Sequence, residues 1–421
     1  MSADAFGHAI DPTVGYARGA FLDSSAAEVR RLRHAQRIAA EVVAARGVDS
    51  IGIFTGNART FPLTAEDLDL AEEWVGPGRF AERLHAVAVD HLGGRSGDAV
   101  AVVNRTSAGI VAAMVALSGG RPVVSIVPTR DRSHASVIRG CALARVRLLE
   151  IDQPGEIAVS MRNVRPALAV VTTVTSTLAR LEDGVTRAAV RSAHEVGAKV
   201  LMDEAYGARL RPVLHGGAKS LELGADAAIT NTDKGGLSGP RGGVIAGSEA
   251  VVLPVLAKAS ELGIEARAPI ALGALRSLEA FDPRILQQEV EDGRAVANAL
   301  VERLGAETVV RSDLGPSLGE DVVARLVHAR ADGSALTLVP CEITAAVGMV
   351  LLREHGVLTV NSHGQPGGRV SIRLKPTAGA VARVGGPAEL AGALDAALST
   401  VADRGGDPAW VAATLFGPEG S

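Results

Sequence analysis

The sequence predicts an α/β fold: a mostly parallel, seven-stranded sheet between helices, followed by a smaller α+β domain. Three observations predict it. Short apolar runs fall at 99–104, 122–127, 145–151, 167–173, 198–203, 226–230 and 243–247, and helical patterns such as SAGIVAAMVALSGG and VTRAAVRSAHEVGA separate most of them. Strand–helix alternation of this kind describes a sheet wrapped by helices. The runs are rich in β-branched residues and apolar on both faces, as in strands covered on both sides. Aromatic residues are 3% of the 421 residues, while glycine accounts for 48. A core so poor in rings is filled by Ala, Val and Leu, which suits helices lying on a parallel sheet.

Taken in order, residues 1–46 contain SSAAEVRRLRHAQRIAAEVVAARG, a helical pattern with Gly47 as its stop, and they read as an N-terminal helical arm. The large domain is expected over 47–265. It opens on IGIFTGNARTFPLTAEDL, a short strand followed by a Gly-Asn turn and a loop. Residues 266–421 form a linking helix, the small α+β domain and a tail. The small domain carries strands expected near 335–340, 357–360 and 369–374, and GDPAWVAATLFGPEGS reads as a loose end.

Composition excludes several classes. Hydrophobic residues at 47% and charged residues at 21% are globular values, not those of a disordered chain. A net charge of −4 and a pI of about 6.2 argue against a nucleic-acid binder held by bulk charge. Arg30, Arg31, Arg33 and Arg37 make one basic helix face, only partly balanced by Glu28 and Glu41, which reads as a solvated surface. Two cysteines, Cys141 and Cys341, supply neither a disulfide framework nor a cysteine zinc site, and no metal site is expected. The start MSADAFGHAIDPT is neither basic nor apolar, and no apolar run is long enough to cross a bilayer. The expected setting is a reducing cytoplasm, away from membranes.

Chemistry concentrates at predicted strand ends. In LMDEAYGARL an apolar strand closes on Asp203. Carboxylates at the carboxyl ends of parallel strands point into the ligand crevice of α/β sheets, although an aspartate there also serves as a helix N-cap. In ITNTDKGGLSGPRGG, Lys234 follows the next strand, flanked by Thr232, Asp233, Gly235 and Gly236. The other four lysines, Lys199, Lys219, Lys258 and Lys375, sit in ordinary contexts. A lysine at one strand end and an aspartate at its neighbour match the needs of pyridoxal phosphate: an amine for the Schiff base and an acid for the ring nitrogen. A nucleotide-phosphate lysine is the other reading, but GxxxxGK[ST] is absent and the glycines follow the lysine. In VVNRTSAGIVAAMVAL, Thr106, Ser107 and Ala108 open an apolar helix, a place for a phosphate or for a plain N-cap. In RDRSHASVIRG, His134 sits between a strand and a helix, where it serves ring stacking, proton transfer or structure.

Together these segments resemble the fold type I pyridoxal phosphate enzymes, the aspartate aminotransferase superfamily. Within it, VVNRTSAGI, HASVIRGCAL, MDEAYGARLR, LGADAAITNTDKGGLSGPRGGVIAG and GIEARAPIALGALRSLEAF are most similar to the selenocysteine-synthase-like group and its archaeal relatives of uncertain activity. The resemblance implies a Schiff base on Lys234, pairing of Asp203 with the ring nitrogen, and a Tyr206 hydrogen bond to the ring hydroxyl. It implies ring stacking by His134, phosphate binding by Thr106 and Ser107 at a helix start that includes Ala108, and further cofactor contacts from Ser176 and Thr232. Arg373, in RVSIRLKP, is expected on the substrate carboxylate, and Arg241 on phosphate or substrate. A homodimer or higher homo-oligomer is implied, with residues shared between subunits.

One departure bears on the reaction. Aminotransferases of this superfamily carry an Asn-Pro-x-x-Pro segment after the fourth strand, and this chain has TTVTSTLARLEDG there, with Ser176 and Thr177 available to the ring. The expected activity is therefore β- or γ-elimination or replacement on an amino acid or amino-acid-bearing metabolite. An aminotransferase, a decarboxylase and a non-catalytic pyridoxal phosphate-binding protein are the alternatives.

Overall fold

A computed structural model describes residues 3–58, 60–331, 336–368 and 370–418. The chain divides into two compact units, one formed by Met1–Asn57 with Ile285–Ser421 and the other by Ala58–Arg284.

The central unit holds a seven-stranded sheet. Its strands are β1 (Ala99–Val103), β2 (Val123–Ile126), β3 (Leu148–Ile151), β4 (Leu168–Thr172), β5 (Lys199–Asp203), β6 (Ala227–Asn231) and β7 (Gly243–Gly247). They lie in the order β1-β7-β6-β5-β4-β2-β3. From β6 to β3 every pairing is parallel, while β7 runs antiparallel to both β1 and β6. The cause is local: no helix lies between β6 and β7, so the chain has no crossover and returns beside the strand it has just left.

Alternate residues along each strand face opposite layers. Val103, Leu168, Val170, Leu201, Ile229 and Ile245 pack against the helices Thr106–Leu117, Ala135–Ala144 and Glu249–Glu261. Val124, Ala169, Val171, Val200, Met202 and Ala228 pack against Ile157–Val164 and Asp183–Glu195. At the β1–β7 end the second layer is completed by Gly76–Leu92 and Ala268–Glu279, over Val102 and Val244. The helix Thr106–Leu117 is apolar almost all round because it is packed on several sides, with Ile110, Ala112, Ala113 and Met114 buried.

The other unit is built on the helix Pro340–His355, whose residues are nearly all buried. The helix Ser25–Arg46 lays Ala27, Ala35, Ile38 and Val42 into the same core. What reads in sequence as a separate arm over 1–46 is thus part of this unit, and the chain passes to the central unit after Asn57. Its basic face also serves the interior. Arg31 is buried and donates to the carbonyls of Asn361, Ser362 and Gly364, the last two at 2.7 and 2.9 Å. Arg30 lies over the Phe416 ring and Arg37 donates to the Phe416 carbonyl.

Sheet structure in this unit is limited to two-residue ladders. Gly52–Ile53 pairs in parallel with Val357–Leu358, and Ser317–Leu318 pairs antiparallel with Ile372–Arg373. The strand expected near 335–340 is absent over 336–340, where buried Leu338 and Val339 lead into a helix with Pro340 at its first position. Residues 335 and 369, at the edges of two expected strands, lie outside the described residues. The expected loose end is a helix instead, Pro408–Phe416, capped by Asp407 and anchored by buried Val411 and Leu415. Residues 419–421 of that segment lie outside the described residues. Among the described residues no helix is long and apolar enough to cross a membrane.

Candidate functional site

The carboxyl ends of β1, β5 and β6 and the amino end of β7 share one edge of the sheet, because Gly243 pairs with both Val103 and Asn231 and Asp203 pairs with Ile229. The end of β4 joins them through the pairing of Thr172 with Asp203. In the central unit the predicted residues all close or follow strands on this edge, apart from Arg241, which precedes β7.

Asp203 closes β5 and is 4% exposed. Burial pushes its carboxyl up to about 6, while the charge of Lys234 pulls it down, Glu204 pushes it up and the Ala205 N–H hydrogen bond pulls it down. Period-two alternation turns the next residue, Glu204, to the opposite side. There it accepts from Thr173 Oγ1 at 2.6 Å and pairs with the fully buried Arg211 at 3.2 Å. Arg209, also fully buried, donates to the Ala205 carbonyl at 2.7 Å and to Asn231 Oδ1 at 2.8 Å. The turn after Asp203 is thus held rigidly from behind.

Lys234 is half-buried, with Nζ 4.7 Å from the centre of the Tyr206 ring. Its loop is fixed through Ser277. Ser277 Oγ donates to the Thr232 carbonyl at 2.7 Å and accepts from the N–H groups of Ser238 and Gly239, both at 3.2 Å. The Thr232 hydroxyl donates to the Pro240 carbonyl at 2.5 Å, so its visible partner belongs to the loop itself. Arg241 pairs with buried Asp233 at 3.2 Å.

At the start of the helix Thr106–Leu117 no side chain caps the backbone. The Ala108 N–H already bonds the Arg105 carbonyl at 2.9 Å, whereas those of Thr106 and Ser107 have no backbone partner among the described residues. Gly243 lets β7 approach this turn, since a Cβ there would come within 2.7 Å of the Thr106 nitrogen. Arg105, which the sequence reading passed over, belongs to the same cluster. Desolvation and, after it, the charge of Arg241 lower its guanidinium to about 10 against the opposing charge of Asp233. Two neighbouring cations beside free helix N–H groups attract an anion. The signal for Arg105 was its place directly before the helix start, hidden because an arginine in sequence reads as surface.

The remaining residues are placed as follows. His134 is exposed, and its Nδ1 accepts the Ser136 N–H at 3.3 Å, making it the N-cap of Ala135–Ala144. Ser176 is half-buried in the loop after β4, between Thr175 and Thr177, whose hydroxyls both donate to Asp131. Arg373 belongs to the other unit, buried in its ladder with Ser317. Among the described residues no group of three His, Cys, Asp or Glu could hold a metal ion.

The edge fits pyridoxal phosphate on its own chemistry. A buried carboxyl at one strand end, an amine at the next and a cationic helix start match a ring nitrogen, a carbonyl and a phosphate. No family model matches the chain. It is 34% identical over 354 residues to a UPF0425 pyridoxal phosphate-dependent protein of Methanothermobacter thermautotrophicus, covering 84% of this chain and 89% of that relative. A protein of the same description from Methanosphaera stadtmanae is 27% identical, covering 82% and 88%. Among solved structures, the ureidoglycine-glyoxylate aminotransferase of Bacillus subtilis superposes with a TM-score of 0.56 at 16% identity, covering 82% of this chain and 92% of that one. That likeness shows the fold type I architecture. The two-unit α/β chain, with its Asp203–Lys234 edge, belongs to the UPF0425 pyridoxal phosphate-dependent protein family.

Proposed function

We propose that this protein is an enzyme that holds pyridoxal phosphate covalently on Lys234 and carries out β- or γ-elimination or replacement on an amino acid or amino-acid-bearing metabolite. The observation that carries the reading is the buried Asp203 carboxyl, which feels the charge of Lys234 from the adjacent strand end. Bound pyridoxal phosphate supplies a carbonyl that condenses with amines and a protonated ring that accepts an electron pair from the carbon beside the substrate amine. Asp203 keeps the ring nitrogen protonated. Arg105, Arg241 and the Thr106 and Ser107 N–H groups bind the phosphate. Tyr206 holds the Lys234 amine over its ring face. Lys234 Nζ would take the proton from the substrate α-carbon.

His134, at the mouth of its helix, stacks on the ring or passes a proton to the leaving group, and Ser176 contributes a hydroxyl from the loop after β4. Arg373 is assigned to the substrate carboxylate. Elimination is favoured over transamination because the loop after β4 lacks the Asn-Pro segment and carries hydroxyls bonded to Asp131 instead. A homodimer or higher homo-oligomer in the cytoplasm completes the reading, supported by exposed Leu68, Trp74 and Val75 on the central unit. The test is a screen of the pigmented protein against amino acids, following leaving group, ammonia and keto acid. Repeated turnover without an added keto acid is expected. Stoichiometric pyridoxamine phosphate after one turnover would establish an aminotransferase instead.

A further inference from the structure

The backbone ladder between β5 and β6 ends at the pairing of Asp203 with Ile229, where the Glu204 N–H reaches the Ile229 carbonyl at 2.8 Å. Beyond that point side chains continue the seam. The Thr230 hydroxyl donates to the Glu204 carbonyl, and the Asn231 amide donates to the Ala205 carbonyl, both at 2.8 Å. Arg209 closes it. Its Nη2 donates to the Ala205 carbonyl at 2.7 Å and to Asn231 Oδ1 at 2.8 Å, and its Nη1 donates to the Thr230 hydroxyl at 2.8 Å. Both lone pairs of the Ala205 carbonyl are thereby engaged. Burying a whole guanidinium is costly, and a neutral donor would serve one carbonyl as well. What the planar fork adds is a fixed reach to two strand ends at once.

The two ends are those that meet at the amine. The Ala205 carbonyl belongs to the peptide that leads into Tyr206, whose ring centre lies 4.7 Å from Lys234 Nζ. Asn231 is the last residue of β6, on the chain that runs through Thr232 and Asp233 into Lys234. Arg209 thus ties together the two segments whose side chains form the Tyr206–Lys234 contact. We propose that Arg209 is a positioning residue for the Schiff base: it fixes the Tyr206 turn against the end of β6, so that the Lys234 amine stays in reach of the cofactor carbonyl. The inference rests on the Asp203–Lys234 reading given above.

The test titrates the apoprotein with two ligands: pyridoxal phosphate, and pyridoxine phosphate, whose alcohol forms no Schiff base. Arg209→Lys keeps the charge and loses the fork. Asn231→Ala removes one arm of the seam and leaves Arg209 on Ala205, so it stands if the lysine variant folds poorly. Both variants should bind pyridoxine phosphate within about twofold of wild type and pyridoxal phosphate about tenfold more weakly, the effect of one buried hydrogen bond on the covalent step alone. Borohydride should trap correspondingly less label on Lys234. Equal weakening of the two ligands, as a loosened fold would give, overturns the Arg209 assignment, and so does unchanged pyridoxal phosphate binding in either folded variant. Failure of both variants to fold also overturns it, since the seam would then serve the fold alone. In all these cases wild type still carries the label on Lys234. Absence of that label in wild type overturns the site and this inference together.

Discussion

Replacing Asp203 with asparagine separates what this carboxyl costs the empty chain from what it does for the cofactor. Burial holds its folded-state value near 6, against an ordinary value of 3.8. The folded apoprotein therefore binds this proton more tightly than the unfolded chain does. The stability this brings is complete below about pH 4 and lost as pH rises through 6. At pH 7.5 the ionised, buried carboxylate leaves the apoprotein destabilised by about 3 kcal/mol, from roughly two pK units at 1.36 kcal/mol each. Asparagine keeps the shape and the contact with the Ala205 N–H and carries no such proton. Urea melts of the apoprotein should show Asp203→Asn more stable than wild type at pH 7.5, by up to about 3 kcal/mol, with the gap closing toward pH 4. Reconstituted protein should show the opposite functional order: the cofactor remains bound to the variant, and turnover falls by a few orders of magnitude, each tenfold being about 1.4 kcal/mol of barrier. An apoprotein variant less stable than wild type at pH 7.5, or near-normal turnover, would refute the pairing.

Other outcomes follow from the same geometry. Lys234→Ala should lose the covalent cofactor and nearly all turnover, and borohydride reduction with peptide mapping should label Lys234, not one of the other four lysines. Arg105→Gln should weaken binding of pyridoxal phosphate roughly tenfold while leaving pyridoxal, which lacks the phosphate, almost unaffected, as one charge-assisted contact predicts. Titrations with both ligands read this directly, and equal loss for the two would remove Arg105 from the phosphate seat. Arg31→Ala leaves three backbone carbonyls without their buried donor; a loss of about 2–4 kcal/mol in chemical denaturation is expected, and an unchanged midpoint would contradict it.

Local pattern carried much of this protein. The seven strands lie close to where apolar runs interrupt helical periodicity, since a strand buried on both faces must be apolar throughout. Lys234 and Asp203 stand out for the same reason, being charged residues set at the ends of apolar strands. Pairing over long distances was not legible in this way. The direction of β7, the union of the N-terminal helix with the C-terminal unit and the helix at Pro408–Phe416 depend on which surfaces meet. Arg31 reads as solvated from its helix face, and only packing reveals it among the carbonyls of 361–364. Arg105 makes the distinction most plainly. An arginine directly before a helix start reads as surface in one dimension. Its place arises because a glycine at the start of β7 brings that strand, with Arg241 just before it, against the turn that carries Arg105.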